Sequence, residues 1–308
     1  MRFGVNILNF SDGATPESIR DRAQTAESMG FHSVMISDHV AITPGVRSRY
    51  PEPFYDTFAT LAWLAAQTST VQLGTTVVVL PYRHPVLTAR LAANVDQFSG
   101  GRFILGVGVG GAEDEFRALG VPFNRRGALT NEYLEVISAL WTQDEVSYKG
   151  RSVTLEGVSG IRTVSLPGRP HPPIWVGGRS DAAMRRTIRF GASWHPNRIT
   201  MAWLRDQGLP RLRELAADAG SPMPAFCPRI PIDLREDPVE GDERPAGVGT
   251  LEQVQADLQE LESLGAVHVL FDWYVSGEMD TARDDERGWR MLSLLAEQVI
   301  DVKGEALR

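Results

Sequence analysis

The chain is poor in cysteine and has no long apolar stretch. Cys227 is its only cysteine, which excludes an internal disulfide and a multi-cysteine zinc or iron–sulfur site. No apolar run reaches the ~18 residues that a transmembrane helix needs. The start of the chain turns polar soon after Val5 and lacks the apolar segment of a signal peptide. We therefore expect a cytoplasmic protein that does not associate with membranes.

Basic residues are also in deficit. Lysine and arginine number 31 against 39 acidic residues, which gives a formal net charge of −8. Proteins that bind nucleic acids broadly need a basic surface, so we expect no nucleic-acid partner, although a local basic pocket is compatible with this charge. The 43% hydrophobic and 23% charged fractions are ordinary for a globular protein, and 308 residues can bury a large core.

Short apolar runs alternate with longer helical stretches along the whole chain. The run at Val77–Leu80 is apolar on both faces, as parallel strands covered by helices are. Strand–helix alternation forces parallel pairing, and eight such units close into a barrel. The sequence therefore predicts an α/β fold, a single (β/α)8 TIM barrel with insertions over residues 1–308; a doubly wound open sheet is the alternative.

The boundaries of these elements follow from capping residues, prolines and glycines. The predicted strands are Phe3–Ile7, Ser33–Ser37, Val71–Leu80, Phe103–Val107, Ile174–Val176, Ala192–Trp194, Ala225–Ile232 and Val267–Phe271. The predicted helices are Thr15–Met29, Asp56–Thr68, Pro85–Phe98, Thr130–Trp141, Asp181–Phe190, Met201–Ala219, Thr250–Leu264 and Glu286–Val299. Two segments interrupt the alternation: short alternating runs predict a hairpin insertion near residues 146–164, and the polar, proline-rich Arg235–Gly249 is predicted to be a disordered loop.

A titratable pair ends the second predicted strand. In a barrel, chemistry sits at the carboxyl ends of the strands, where Asp38 and His39 fall. A histidine there can exchange a proton near neutral pH, and an adjacent aspartate can orient it. A surface ion pair or a helix cap would explain the same two residues.

Two glycine-rich segments follow other strands. Gly106–Gly111 lacks the spacing of a dinucleotide fingerprint, so its glycines predict either a close approach of backbone to a flat ligand or a tight barrel corner. Gly177–Asp181 opens a helix with two glycines and Arg179, and the helix continues through Arg185 and Arg186. Free amides at a helix N-terminus beside arginine predict an anion site, with Asp181 as a plain N-cap as the alternative.

The six histidines have no zinc-binding spacing such as HExxH. A metal site would have to be assembled from separate strands, for which His39, His195 and Asp272 are the candidates. A barrel metal hydrolase built on them therefore stays an alternative, as does a ligand-binding barrel without catalysis. We also find no nucleophile elbow and no Walker loop.

Four segments in this order carry a resemblance to a known family. Ser37–His39, Leu73–Pro85, Ser99–Gly110 and His171–Gly178 resemble the luciferase-like monooxygenase superfamily, in its branch that uses the deazaflavin coenzyme F420. The resemblance implies a (β/α)8 enzyme that transfers a hydride between F420 and a small organic substrate, and it allows a homodimer. An FMN-dependent monooxygenase that uses reduced flavin and O₂ is the alternative.

The resemblance also implies roles for individual residues. His39 would lie near the reacting carbon and exchange a proton, and Asp38 would contact the cofactor. Thr76–Val79 would form a bulge against one face of the ring, with a cis peptide bond between Thr76 and Val77. Further cofactor contacts are implied at Val109, Gly110 and Asp114, and phosphate contacts at Gly177, Gly178, Arg179 and Ser180.

One position departs from the family pattern. Sugar-phosphate dehydrogenases of this branch carry a proton-transferring glutamate where this chain has Gly111, with Glu113 two residues later. Glucose-6-phosphate chemistry by that mechanism is therefore not expected. Arg47 and Arg49 could meet the acidic tail of the cofactor or simply be solvated. Aromatic residues that could form an apolar pocket, or equally belong to the core, are Phe10, Tyr50, Phe54, Trp194, Trp273 and Tyr274.

Overall fold

The structure is a computed structural model that describes residues 1–164, 166–190, 193–274 and 284–308. Its strands are β1 (Arg2–Asn6), β2 (Ser33–Ile36), β3 (Gln72–Thr75), β4 (Val78–Val79), β5 (Phe103–Gly108), β6 (Glu145–Lys149), β7 (Thr154–Ser159), β8 (Ile174–Gly177), β9 (Ser193–His195), β10 (Arg229–Pro231), β11 (Asp233–Leu234), β12 (Val248–Gly249), β13 (His268–Asp272), β14 (Ile300–Asp301) and β15 (Ala306–Leu307).

The helices lie between these strands. They are α1 (Pro16–Ser28), α2 (Pro44–Arg47), α3 (Thr57–Gln67), α4 (Pro85–Phe98), α5 (Glu113–Ala118), α6 (Arg126–Thr142), α7 (Asp181–Arg189), α8 (Met201–Trp203), α9 (Leu209–Asp218), α10 (Leu251–Ser263) and α11 (Asp285–Gln298). None of these helices is long and apolar enough to cross a membrane.

The main sheet is a barrel of parallel strands. Its strands follow the order β10-β13-β1-β2-β3-β5-β8-β9, and every neighbouring pair is parallel. Parallel bridges from Trp194 to Phe226 and from Asn197 to Arg229 join β9 to the chain entering β10 and so close the ring. The predicted (β/α)8 barrel is confirmed. The open-sheet alternative is wrong because these bridges join the two ends of the strand order.

Local capping explains where the helices begin. Thr15 accepts a hydrogen bond from the amide of Ser18, whose hydroxyl accepts one from the amide of Thr15, and Pro16 occupies the first turn of α1. Thr250 and Gln253 form the same capping box on α10. These ends are set by neighbours in sequence, which is why they were predicted to within one or two residues.

The predicted third strand is not continuous. β3 stops at Thr75 and pairing resumes only in β4, so residues 76 and 77 leave the sheet. The peptide bond between Thr76 and Val77 is cis, as the family resemblance implied. The interruption places the Val77 side chain at the carboxyl end of the barrel.

Of the two predicted interruptions of the barrel, one is confirmed and one is wrong. β6 and β7 form the expected antiparallel hairpin. The segment Arg235–Gly249 is held by long-range contacts: β11 pairs with β12, and Arg244 donates hydrogen bonds of 2.6 and 2.8 Å to Asp257. Asp257 is buried and lies outside the segment, so the composition of the segment alone does not indicate that it is ordered.

Smaller differences concern short or irregular elements. Helices α2 and α5 were not predicted, and the predicted helix Met201–Ala219 is broken by a π-helical turn at Leu204–Gly208. The sixth predicted strand is found at β9; its predicted first residue, Ala192, lies outside the described residues. Inside the barrel, Cys227 packs with Met35, Ile104, Trp175 and Leu270.

Candidate functional site

The described residues enclose two cavities at the carboxyl ends of the barrel strands. The larger, of about 630 Å³, is lined by Tyr50 and Tyr274 and by charged residues that include Arg179, Arg229 and Asp272. The smaller, of about 200 Å³, lies over the gap between β3 and β4. Asn197 and Arg229 line both cavities, so the two adjoin.

The smaller cavity brings together residues that the sequence placed on separate strands. The predicted cofactor contacts that line it are Thr76, Val77, Val109, Gly110, Gly177 and Gly178. Thr76 and Val77 follow β3, Val109 and Gly110 follow β5, and Gly178 follows β8. Parallel strands deliver these segments to the same end of the barrel.

The start of α7 supplies donors for an anion beside this cavity. Gly178 has a φ of +114°, which favours glycine, and its carbonyl accepts a 2.8 Å hydrogen bond from Trp194 Nε1. The N-cap is Ser180, so the alternative that made Asp181 the cap is wrong. Arg179 lines the larger cavity, with its guanidinium 5.1 Å from the Trp203 ring centre. Arg179 also donates a 2.8 Å hydrogen bond to the Arg198 carbonyl. The backbone amides at the start of α7, the helix dipole and the charge of Arg179 fit a phosphate group.

The two arginines further along α7 do not belong to this anion site. Arg186 is buried and donates to the side chain of Asn131 and to the carbonyl of Gly127. Arg185 lines neither of the two cavities.

The glycines of β5 leave room for neighbouring segments of the barrel. A Cβ added at Gly106 would lie 1.9 Å from the Thr75 carbonyl oxygen, and one at Gly108 would lie 2.6 Å from Val77 Cγ2. The barrel-corner alternative therefore explains Gly106. Gly108 leaves room for the Val77 side chain and also lines the smaller cavity.

Replacing Gly106 by alanine is expected to lower the free energy of unfolding by about 3 kcal/mol, the upper end of the usual cost of overpacking. The new methyl group would meet backbone, which cannot move aside. Gly111→Ala is the matched control, because no atom lies within 4 Å of its added Cβ, and we expect a change below about 0.5 kcal/mol. Denaturant titration measures both; equal stabilities would contradict this packing argument.

A buried polar network supports the floor of the cavities. Arg229 donates to the Thr76 carbonyl at 2.7 Å and pairs with Asp272 through Nε at 2.9 Å. His195 donates from Nδ1 to the Cys227 carbonyl at 2.5 Å, and its Nε2 lies 2.9 Å from the Thr76 hydroxyl. Burial lowers the pKa of His195 to about 4, so the ring is neutral and accepts from Thr76. The network fixes the backbone that carries Val77.

His39 lines neither of the two cavities itself but packs against aromatic residues at the mouth of the barrel. Its ring centre is 4.6 Å from that of Tyr50, which lines the larger cavity, and 5.5 Å from that of Phe54. Its Nδ1 lies 2.7 Å from Oε2 of Glu115, a fully buried carboxylate. Sequence reasoning missed Glu115, since a glutamate within the acidic run 113–115 resembles a solvated helix start.

Two residues predicted to contact the cofactor, Asp38 and Asp114, use their carboxylates to accept hydrogen bonds from other residues of the protein. The Asp38 carboxylate is buried and accepts hydrogen bonds from Arg83, Thr57 and the amide of Val79. Asp114 accepts from the Thr43 hydroxyl and the Gly45 amide and so holds α2. Neither lines the two cavities, so this geometry does not support side-chain contacts with a cofactor.

The predicted aromatic residues divide into two groups. Phe10 packs against Tyr50, Phe54 and Tyr274 at the mouth, with ring centres 5.0–5.5 Å apart. Trp194 and Trp273 are buried and line neither of the two cavities, so they are core residues.

The candidate metal ligands have separate partners. His39 contacts Glu115, His195 contacts Thr76, and Asp272 pairs with Arg229. Within the described ranges, no three His, Cys, Asp or Glu residues are arranged to hold a metal ion. The metal-hydrolase alternative therefore receives no support from the geometry.

The chain is similar to several known proteins. An uncharacterized protein of Mycobacterium tuberculosis is 31% identical over 228 residues, 68% of this chain and 75% of that protein. The F420-dependent glucose-6-phosphate dehydrogenase of Kineococcus radiotolerans is 34% identical over 180 residues, 57% of this chain and 51% of that protein. The crystal structure of monooxygenase RslO1 from Streptomyces bottropensis superposes with a TM-score of 0.76 at 26% identity, covering 96% of this chain and 98% of that one. The family model for luciferase-like monooxygenases matches residues 1–240, and the chain therefore belongs to that family.

Proposed function

We propose that this protein is a coenzyme F420-dependent oxidoreductase acting on a small organic substrate. The observation that carries the proposal is the cavity floored by Thr76 and Val77 and walled by the glycines after β5 and β8, which leads to the N-terminus of α7. A flat ring with a phosphate-bearing tail has the shape and charge for such a site. Similarity to the F420-dependent dehydrogenase of Kineococcus radiotolerans supports F420 as the cofactor.

Each part of the site has a separate task in this proposal. The bound deazaflavin would supply two-electron hydride chemistry. The amides of Gly178 to Ser180 and the Arg179 guanidinium would hold its phosphate, and Val77 would support one face of the ring. His39 would hold or release the proton that accompanies hydride transfer.

The substrate we propose is small and apolar or planar. Tyr50 and Tyr274 line the larger cavity, and Phe10 packs against both of them and against Phe54. The family resemblance matches Gly111 to the glutamate of the sugar-phosphate dehydrogenases of this branch, so a sugar phosphate is not the substrate we expect.

A second candidate is an FMN-dependent monooxygenase that receives reduced flavin. The similarity to monooxygenase RslO1 over nearly the whole chain favours it. Equilibrium titration with oxidised F420, reduced F420 and FMN distinguishes the two. We expect binding of F420; tight binding of FMN without F420, together with oxygen-dependent substrate oxidation, would replace the first candidate with the second.

Arg179→Ala is expected to weaken F420 binding by about 10- to 100-fold, the value of one lost hydrogen bond to a charged group. The matched control is Arg185→Ala, on the helix that follows Arg179 but outside the lining of both cavities. Fluorescence titration of both variants measures the difference. Equal affinities would remove Arg179 from the phosphate site.

A further inference from the structure

Glu115 is a fully buried carboxylate that faces four hydrogen-bond donors. Oε1 accepts from the amides of Val40 and Ala41 at 2.6 and 3.1 Å. Oε2 accepts from the Tyr82 hydroxyl at 2.9 Å and lies 2.7 Å from Nδ1 of His39. A buried carboxylate costs free energy unless it is fully hydrogen-bonded, and here every donor comes from a segment at the mouth of the barrel.

The charge state of Glu115 decides which atom carries the shared proton. Burial alone raises the pKa of Glu115, but the hydrogen bonds from His39, Val40 and Tyr82 outweigh it and leave this pKa below its usual value. Burial and the neighbouring carboxylate raise the pKa of Tyr82, which therefore remains a donor. An ionised carboxylate only accepts hydrogen bonds, so the proton between His39 and Glu115 belongs to Nδ1.

We propose that Glu115 is a positioning residue that holds the Nδ1 proton of His39, so that every proton exchanged with substrate passes through Nε2. This role rests on the proposed function of the site. Nε2 makes no hydrogen bond to any residue that the structure describes. When Nε2 takes a proton from the substrate, the ring becomes an imidazolium whose charge faces the Glu115 carboxylate; when it returns the proton, the neutral Nδ1–H tautomer is restored.

The tautomer of His39 can be measured without any cofactor. In protein labelled with ¹⁵N-histidine, long-range ¹H–¹⁵N spectra distinguish protonated from unprotonated ring nitrogens, and the signals of His39 are those lost in His39→Gln. We expect neutral His39 to carry its proton on Nδ1. Neutral His39 protonated on Nε2 in the unmodified protein would overturn the proposal, whether or not the protein binds F420.

Variants separate this role from simple loop support. Glu115→Gln is expected to change the tautomer equilibrium of His39 and to lower kcat with F420 by about 10- to 10⁴-fold, with the Kd for F420 unchanged. Glu113→Gln, at an exposed position of the same helix, is the control and changes neither. A folded Glu115→Gln protein with an unaltered tautomer and unaltered kcat would overturn the proposal, since only the contacts to Val40 and Ala41 would then matter.

Discussion

His39→Gln is expected to lower turnover with F420 by about 10²–10⁴-fold, the usual contribution of a positioned acid–base residue. Glutamine retains much of the volume beside Tyr50, but its amide cannot take up and return a proton as an imidazole does. His39 does not line the cavity predicted for the ring, so the Kd for the coenzyme should be unchanged. Steady-state kinetics and fluorescence titration on the same preparation measure the two quantities.

The control for this variant is His84→Asn. His84 is exposed and caps α4, where asparagine is an equally good cap. We expect its turnover to match the unmodified protein. Turnover that survives in His39→Gln would show that another group carries the proton.

Asp38→Ala is expected to lower the free energy of unfolding by about 3–5 kcal/mol. The substitution removes the buried carboxylate from the Arg83 guanidinium, whose side chain is only 9% exposed, and leaves it the exposed carboxylate of Asp56 at 3.1 Å. Burial alone would lower the pKa of Arg83, but Asp38 raises it, so this residue stays charged. The amide of Val79 loses its acceptor as well. Denaturant titration measures the loss.

Two further proteins test the cause of this loss. Asp21→Ala removes the exposed carboxylate that pairs with Arg20, and we expect at most about 1 kcal/mol. The double substitution Asp38→Leu/Arg83→Met replaces both charges by apolar groups and should recover part of the stability. If Asp38→Ala unfolds like the unmodified protein but binds F420 more weakly, Asp38 contacts the cofactor as the family resemblance implied.

The barrel could be predicted because its signals are local. Proline and a capping residue mark the start of α1, and alternating apolar runs mark most of the strands. The break between β3 and β4 had no such signal in periodicity, since Val77–Leu80 is uniformly apolar; only the family resemblance pointed to it. The order of Arg235–Gly249 depends on Asp257, which lies outside the segment on α10.

The site could be predicted in its outline but not in its connections. Thr76, Gly110 and Gly178 fall at strand ends, and parallel topology was enough to bring them together. An acidic side chain can be available to a ligand or be paired within the protein, and the sequence does not show which, because the pairing residues lie in other segments. Asp38 pairs with Arg83 and His39 with Glu115. The members of each pair are too far apart in sequence for hydrophobic periodicity to predict the contact.

The environment of Cys227 makes the protein convenient for site-specific chemical labelling. This thiol is the only one in the chain, and burial inside the barrel raises its pKa to about 12. Thiolate is the reactive form, so maleimide reagents should leave it untouched near neutral pH. A cysteine introduced at Arg151, in the exposed turn between β6 and β7, would then carry a single fluorophore without removal of the native residue.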